Sequence, residues 1–289
     1  MKKLTRKLFI SILSMAFAVI AIGTTTFAWI TISTTADIEG IEATVETGAG
    51  GIELSLDYGT QGTNATWSNI VKVTESNFID FADTGLSDVT WDGTDFKELV
   101  INDNTAAYDT IDGEKPYIEF KVWIRNTNPD GGPVKVTIDN SKVKFDHVAT
   151  SGSFTSDVTF TDNTAATVDN LFVSNAARMK ISTANSGPFY FEKESGAGFD
   201  NNYPGNSDSG WAQKYFEAKG ISLAGVACPN ITYLNASSND QCVIVASLGE
   251  DIVEITVCVW VEGWDSECHA NILSQTLKAA LGFNAEQLE

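Results

Sequence analysis

Apolar and polar residues alternate along several segments of the chain, with the period of two that is typical of strands burying one face. Residues 41–45 and 51–56 alternate in this way and are separated by a glycine-rich step, which predicts a hairpin. Residues 117–124 and 134–138 also alternate, and the turn-forming residues 126–133 between them predict a second hairpin. The pattern therefore predicts a mainly β fold.

The C-terminal part of the chain is rich in apolar and β-branched residues. Residues 242–248 and 252–261 flank the turn 249–251, which predicts a third hairpin. Both faces of the segment 252–261 are largely apolar, as expected for a central strand of a β-sandwich. Residues 272–283 fit either a final strand or a short helix, because their apolar positions satisfy both periods.

The middle of the chain, from residue 142 to about residue 238, is rich in Ser, Thr, Asn, Asp and Gly. Residues 154–160 and 171–174 are candidate short strands, and residues 211–218 are a candidate short helix. Residues 196–210 show no periodicity and indicate a loop. A structureless loop of the whole length is improbable in a compact domain. The predicted organisation is a signal or anchor (1–28), the first part of a sandwich (29–144), an insertion or second lobe (145–240) and the closing strands (241–289).

The N-terminus has the order of a secretory signal: a basic head in the first seven residues, an apolar stretch over residues 8–22, and a short region of small residues. Cleavage between Ala28 and Trp29 is the preferred prediction, and cleavage after Gly23 is the other option. The alternative is an uncleaved anchor, because residues 8–32 could cross a bilayer about 30 Å thick. In both cases the bulk of the chain is predicted to be extracellular, and membrane contact, through residues 1–32, is expected only if the segment is uncleaved.

The net charge of the chain argues against two classes of binding partner. The chain has 289 residues, of which 43% are hydrophobic, and it carries 18 basic against 38 acidic residues, for a formal net charge of -20. A field of this sign repels nucleic acid and anionic lipid surfaces, so neither is expected as a partner.

Four cysteines lie in the last quarter of the chain, which is compatible with two disulfides in an exported protein. The turn 249–251 would place Cys242 close to Cys258 across a hairpin, which would leave Cys228 with Cys268. The alternative is that some of these cysteines are reduced and packed as small hydrophobes.

Signatures of catalysis and of tightly bound cofactors are sparse. His147 and His269 do not form a zinc-protease motif, and Cys268 next to His269 would point to the opposite face of a strand. We therefore predict that the chain is not an enzyme and has no cofactor. Calcium is a weak option at residues 92–95 and 126–130, which carry several oxygen ligands but do not match an EF-hand.

Tryptophans in polar, glycine-bearing surroundings are candidates for carbohydrate binding, although such side chains more often pin a loop to the core. The four candidates are Trp67, Trp91, Trp211 and Trp264.

Short motifs at both ends of the chain resemble a known family. The segment 23–31, Gly-Thr-Thr-Thr-Phe-Ala-Trp-Ile-Thr, is similar to the processing region of the TasA/camelysin group of exported proteins of Gram-positive bacteria. Residues 40–57 and 257–268 resemble the first and last strands of such proteins. The resemblance implies a jelly-roll-like antiparallel β-sandwich with little helix, built on a mainly β chain.

The resemblance also implies that subunits join by donating an N-terminal strand to the next sandwich. The segment from Trp29 to Ile41 could supply this strand, and its apolar points are Trp29, Ile30, Ile32, Ile38 and Ile41. The alternative is an ordinary first strand that pairs within its own subunit. The expected function is thus an exported structural protein, a self-assembling subunit of a fibre, matrix or envelope. The alternative function is a secreted or anchored module that binds a glycan or a partner surface.

Overall fold

The structure is a computed structural model, and it confirms a mainly β chain with two multi-stranded sheets, as in a β-sandwich. It describes residues 38–46, 51–83, 85–102, 104–148, 152–155, 167–193, 219–223, 231–235, 238, 241–265, 268 and 275–288.

The first sheet contains six strands. Five of them follow the order β14-β8-β16-β1-β3. The sixth, β9, pairs with the first half of β16, along the same edge on which β8 pairs with the second half. All of its ladders are antiparallel except that of β1 with β16, which is parallel. Its strands are β1 (Ile38–Glu46), β3 (Ile70–Val73), β8 (Val134–Ile138), β9 (Lys144–Val148), β14 (Cys242–Leu248) and β16 (Thr276–Gln287).

The second sheet contains eight strands, with the path β13-β12-β15-β4-β5-β6. β7 pairs with β15 and with β2. A separate pair is formed by β10 (Gly152–Thr155) and β11 (Thr167–Leu171). The strands of the second sheet are β2 (Ile52–Ser55), β4 (Asp88–Trp91), β5 (Phe96–Asn102), β6 (Thr105–Thr110), β7 (Ile118–Asn126), β12 (Ala177–Ser182), β13 (Phe189–Glu192) and β15 (Val253–Glu262).

Helix is confined to short pieces in the part of the chain that is described. Two four-residue α-helices, α1 (Tyr58–Gln61) and α2 (Val173–Ala176), and four 3₁₀ turns lie between strands. No helix among the described residues has the length and hydropathy to span a membrane. The predicted signal or anchor lies outside the described residues.

One apolar core lies between the two sheets. Strands β7 and β8 alternate strictly between buried and half-buried residues, so each sends one face into this core. β16 is a strand along its whole length, because its alternating residues Leu277, Leu281 and Phe283 are buried there. β15 is a central strand as predicted, paired with β7, β12 and β4 and buried on both faces toward its C-terminal end.

The three predicted hairpins are wrong. β1 and β2, β7 and β8, and β14 and β15 each divide between the two sheets, so no member of these pairs hydrogen-bonds to the other. The turn residues between them lead the chain across the sandwich instead of back along the same sheet. Local patterns did not distinguish the two outcomes, because an inter-sheet connection needs the same turn residues and the same one-faced alternation as a hairpin.

Two strands of the segment 145–240 belong to the second sheet. β12 lies between β13 and β15, with six residue pairs to β15. The candidate helix at 211–218 and the candidate loop at 196–210 lie outside the described residues.

Candidate functional site

The predicted assembly segment enters the first sheet at β1. Ile38 pairs with Leu277 and Ile41 with Ala279, both on β16, and Ile41 also pairs with Val73 on β3. Ile41 is 1% exposed. These two points of the segment therefore pair within their own subunit here. Trp29, Ile30, Ile32 and the predicted cleavage site at Ala28 lie outside the described residues.

β1 has no ladder with its neighbours in sequence. Seven residue pairs join it to β16, near the opposite end of the chain, and four join it to β3. Next to it, β3 forms an edge of the sheet and carries Ile70, which is 53% exposed and the more exposed of two large apolar residues on the described surface. The N-terminal strand thus completes the sheet next to an edge with exposed apolar surface.

A second unusual feature is a group of buried charges on the second sheet, here named the charge cluster: Arg178, Glu192, Glu262 and Asp265. All four are buried, and Arg178 and Glu262 are 0% exposed. The Nη2 of Arg178 donates to Asp265 Oδ2 at 2.5 Å and lies 3.4 Å from Glu192 Oε2. Burial by itself lowers the pKa of Arg178, but Asp265 and Glu192 raise it above its ordinary value.

Glu262 is held in the cluster by donors from its own strand end. Its Oε2 accepts from the Trp260 indole at 2.9 Å, and its Oε1 accepts from the Trp264 amide at 3.2 Å. Burial raises the pKa of Glu262 to about 7, although these donors and Arg178 oppose the shift. The described part of the cluster therefore holds one guanidinium against three carboxyl groups, one of which takes up a proton near neutral pH.

An outer apolar layer lies beside this cluster, on the face of the second sheet that points away from the main core: Val89, Phe96, Tyr117, Cys258 and Trp260. Phe96 stacks on Tyr117 with ring centroids 3.8 Å apart and meets Trp260 edge-on at 5.2 Å. Lys180 lies 3.4 Å from the ring centre of Trp91, and the Trp91 indole donates to Tyr190 at 2.9 Å. On this face, aromatic side chains from the strands along both edges of β15 therefore contribute to the layer.

The cysteines do not pair as predicted. Cys242 lies on β14 in the first sheet and Cys258 on β15 in the second, so the predicted bridge between them is wrong, because no hairpin joins these strands. Cys258 and Cys268 are buried free thiols, so the predicted bridge from Cys268 to Cys228 is not formed either. Cys228 itself lies outside the described residues. Burial raises the pKa of Cys258 to about 12, which makes it a poor nucleophile.

His147 lies in a polar contact that joins β9 to α2 and to the end of β13. Its Nδ1 is 2.9 Å from the Oγ of Ser174, and Lys193 donates to the same oxygen at 2.9 Å. Asp146 approaches the same ring nitrogen, at 3.9 Å. In a nucleophilic triad the orienting carboxylate binds the other nitrogen, and the described partners of His147 do not include such a contact. His269 lies outside the described residues.

In each of the two candidate calcium loops, a side-chain oxygen accepts hydrogen bonds from backbone amides of the same turn. Asp92 Oδ1 accepts from the amides of Thr94 and Asp95, each at 2.7 Å. Asn126 Oδ1 accepts from the amide of Asn128 at 2.9 Å. Among the described residues no group of three or more His, Cys, Asp or Glu side chains could hold a metal ion.

The tryptophans singled out as carbohydrate candidates differ in exposure. Trp264 is 2% exposed, and its indole donates to Tyr108 at 2.8 Å, so it pins its loop to the core. Trp67 is half-buried under Arg125, which lies 4.4 Å from the ring centre, and it packs on Tyr58. Trp91 is part of the contact with Lys180, and Trp211 lies outside the described residues.

Sequence reasoning missed the charge cluster completely. Arg178 and Lys180 alternate with Met179 and Ile181, a pattern typical of a strand with a solvated polar face. That pattern could have identified β12, but it assigns Arg178 to the surface. Arg178 is buried because side chains from other strands cover this face of the sheet.

Comparisons with known proteins do not identify the chain. No protein-family model matches it, and neither a curated protein nor a solved structure matches it. The likeness to the TasA/camelysin group therefore stays a prediction that rests on the short motifs at the two ends of the sequence.

Proposed function

We propose that this protein is an exported structural subunit whose copies assemble at the cell surface by exchanging the N-terminal strand. The observation that carries the proposal is the position of β1, which is the first described strand and, among the described strands, pairs with β16 and β3 and with no other. A strand with no local partner forms the same hydrogen bonds whether it comes from its own chain or from a neighbouring copy.

The link to the next strand is compatible with exchange. Residues 47–51, Thr-Gly-Ala-Gly-Gly, connect β1 in the first sheet to β2 in the second. A short connection that separates a terminal strand from the rest of a domain is a known route to strand swapping. The acidic surface, with a formal net charge of -20, would keep single subunits soluble before assembly.

A cross-linking experiment tests the proposal directly. Glu42 on β1 and Ala280 on β16 are paired residues, so Glu42→Cys with Ala280→Cys places two thiols across the ladder. The mature protein is treated with a short thiol cross-linker at low and high concentration and is run on a denaturing gel. Strand exchange should give covalent multimers that increase with protein concentration.

A matched control uses a ladder that exchange would leave within one copy. Lys135 on β8 pairs with Glu286 on β16, so Lys135→Cys with Glu286→Cys should cross-link as a monomer at every concentration. The unsubstituted protein reports any reaction of the four native cysteines. The proposal fails if the variant with Glu42→Cys and Ala280→Cys cross-links to completion at high protein concentration and still gives only monomers.

A further inference from the structure

Strands β4, β5 and β6 form a ribbon, here named the arm, which has a short attachment to the second sheet. β4 pairs in parallel with β15 through two residue pairs, Asp88 with Val261 and Val89 with Glu262. The amide of Gly263 also donates to the carbonyl of Val89 at 2.9 Å. The other ladders of β15 contain seven residue pairs with β7 and six with β12. The ladder that joins the arm to β15 is thus the shortest of the three described ladders of β15.

Backbone bonds outside this ladder and side chains complete the attachment and cover the outer apolar layer. The amide of Ala106 on β6 donates to the carbonyl of Ser222 at 2.9 Å, and the amide of Ser87 donates to the carbonyl of Pro116 at 3.0 Å. Phe96, at the start of β5, lies on Tyr117 and Trp260. Tyr108 on β6 accepts the indole hydrogen bond of Trp264. The arm therefore shields part of an apolar face, and its separation from β15 would expose that face to water.

Each of the two residue pairs in the short ladder contains one carboxylic acid. Directly paired residues in a ladder share a face of the sheet, so Asp88 lies on the face of Val261 and Glu262 on the face of Val89. One carboxyl group therefore flanks the attachment on each side. If both are ionised, both require water or a counter-charge at a place where the backbone contact is only two pairs long.

The charged groups of the described residues that act on Asp88 are of its own sign. Ser87 donates to its Oδ1 at 3.1 Å, but Glu98 on β5 and Glu262 on β15 both repel an ionised Asp88. The thiol of Cys268 interacts with the same carboxyl, and burial raises the pKa of this thiol well above its ordinary value, so it stays neutral and does not offset the charge of Asp88.

The charges around Glu262 include one cation, which is shared. Arg178 on β12 is attracted to Glu262, but its guanidinium already contacts Asp265 and, less closely, Glu192 on β13. Its Nε has no hydrogen-bond partner among the described residues, so it does not reach Glu262 through that atom. An ionised Glu262 therefore adds to an excess of negative charge.

Both carboxyl groups ionise in the same pH range. Burial raises the pKa of Asp88 to about 7, although residue 88 as a whole is only half-buried. Burial likewise raises the pKa of Glu262 to about 7. Both are neutral in mildly acidic solution and charged in mildly alkaline solution.

We propose that the arm is a proton-controlled flap: it is closed over the outer apolar layer when Asp88 and Glu262 are protonated, and it opens from β15 when both ionise. The opening exposes Phe96, Tyr117 and Trp260 while the sandwich itself stays folded. The inference does not depend on the strand exchange of β1, which lies in the other sheet.

Hydrogen exchange with mass spectrometry tests this flap on the full mature chain. Exchange is compared at about pH 5.5 and about pH 8.5, with times rescaled for the intrinsic pH dependence of amide exchange. Peptides from β4 and β5 report the arm, and peptides from β7 report the sandwich. The variants are Asp88→Asn, Glu262→Gln and the double variant, with Glu254→Gln as a matched control, since Glu254 on β15 pairs with Lys121 at the surface.

In the unsubstituted protein and in Glu254→Gln, opening of the arm should increase by up to about tenfold per pH unit for each proton released as the pH rises toward about 7, and it should level off above that pH, with β7 unchanged. Each single variant should move the transition to higher pH, and the double variant should stay closed. Equal arm protection at both pH values overturns the proposal, as does opening that persists in the double variant. Loss of protection that is equally large in β7 also overturns it, because that result is global unfolding. If the double variant does not fold, the two single variants decide.

Discussion

The two sheets of this protein differ in what covers their outer faces. In the first sheet, β8 buries one face only, and its other face carries ordinary surface contacts such as the ion pair of Lys135 with Glu286. In the second sheet, the arm covers part of the outer face, and Phe96, Trp260 and Arg178 are buried there. A sheet covered on both sides can hold charged groups away from water. The second sheet therefore holds buried groups whose charge depends on pH, whereas the first is the sheet in which we propose strand exchange.

The largest effect is expected where the second sheet buries a cation. Arg178→Ala leaves Asp265 and Glu192 buried without their guanidinium, which should lower the free energy of unfolding by about 3–5 kcal/mol. Urea denaturation at neutral pH measures this. Arg178→Met, which retains most of the side-chain volume, separates lost charge from lost packing. A loss below about 1 kcal/mol for both variants would show that the cluster is hydrated in solution.

The next effect compares the outer faces directly. Phe96→Ala removes a buried ring from the outer apolar layer and should cost about 3 kcal/mol. Thr137→Ala, on the outer face of β8 in the first sheet, should change stability by less than about 0.5 kcal/mol. Both are measured by thermal and urea denaturation. Similar small costs at the two positions would mean that the arm does not shield its face.

A smaller effect concerns pH. The folded pKa of Glu262, about 7, lies above its ordinary value of 4.5. The protonated acid therefore stabilises the fold below about pH 4.5, and this contribution is lost as the pH rises through about 7. Relative to Glu262→Gln, the unsubstituted protein should lose on the order of 3 kcal/mol over this interval. Urea denaturation of both proteins across the interval measures the difference, and parallel curves would contradict it.

The smallest effect is expected at an exposed ion pair. Arg125 donates to Glu53 at 2.7 and 3.0 Å and lies over Trp67, but the pair is half-exposed. Arg125→Ala should cost about 1 kcal/mol or less. Denaturation in low and high salt should show that part of this cost disappears on screening. A cost as large as that of Arg178→Ala would remove the distinction between exposed and buried pairs.

Sequence patterns located strands better than they located partners. The strand prediction for residues 117–124 corresponds to β7, and that for 134–138 corresponds to β8. Alternation is a property of the strand itself, so it is readable without knowing the neighbours. Residues 272–283 were open between helix and strand, and burial of Leu277, Leu281 and Phe283 against the core selects the strand β16.

The charge cluster, in contrast, could not be predicted from sequence patterns. Arg178 and Glu262 come from strands that are distant in sequence, and residues of these types are usually exposed. Their burial follows from packing of β13, β15 and the loop at Trp264 around them. No local pattern contains that information.

The sequence by itself determined that this chain forms strands and which of their faces are apolar, because side-chain alternation is written into consecutive residues. Tertiary structure alone decided which strands pair. Each of the three predicted hairpins divides between the sheets, because the ladders of β1, β7 and β14 are made with distant strands whose hydrogen bonds a turn cannot specify. It also decided where charge is buried, because covering a face requires elements from elsewhere in the chain.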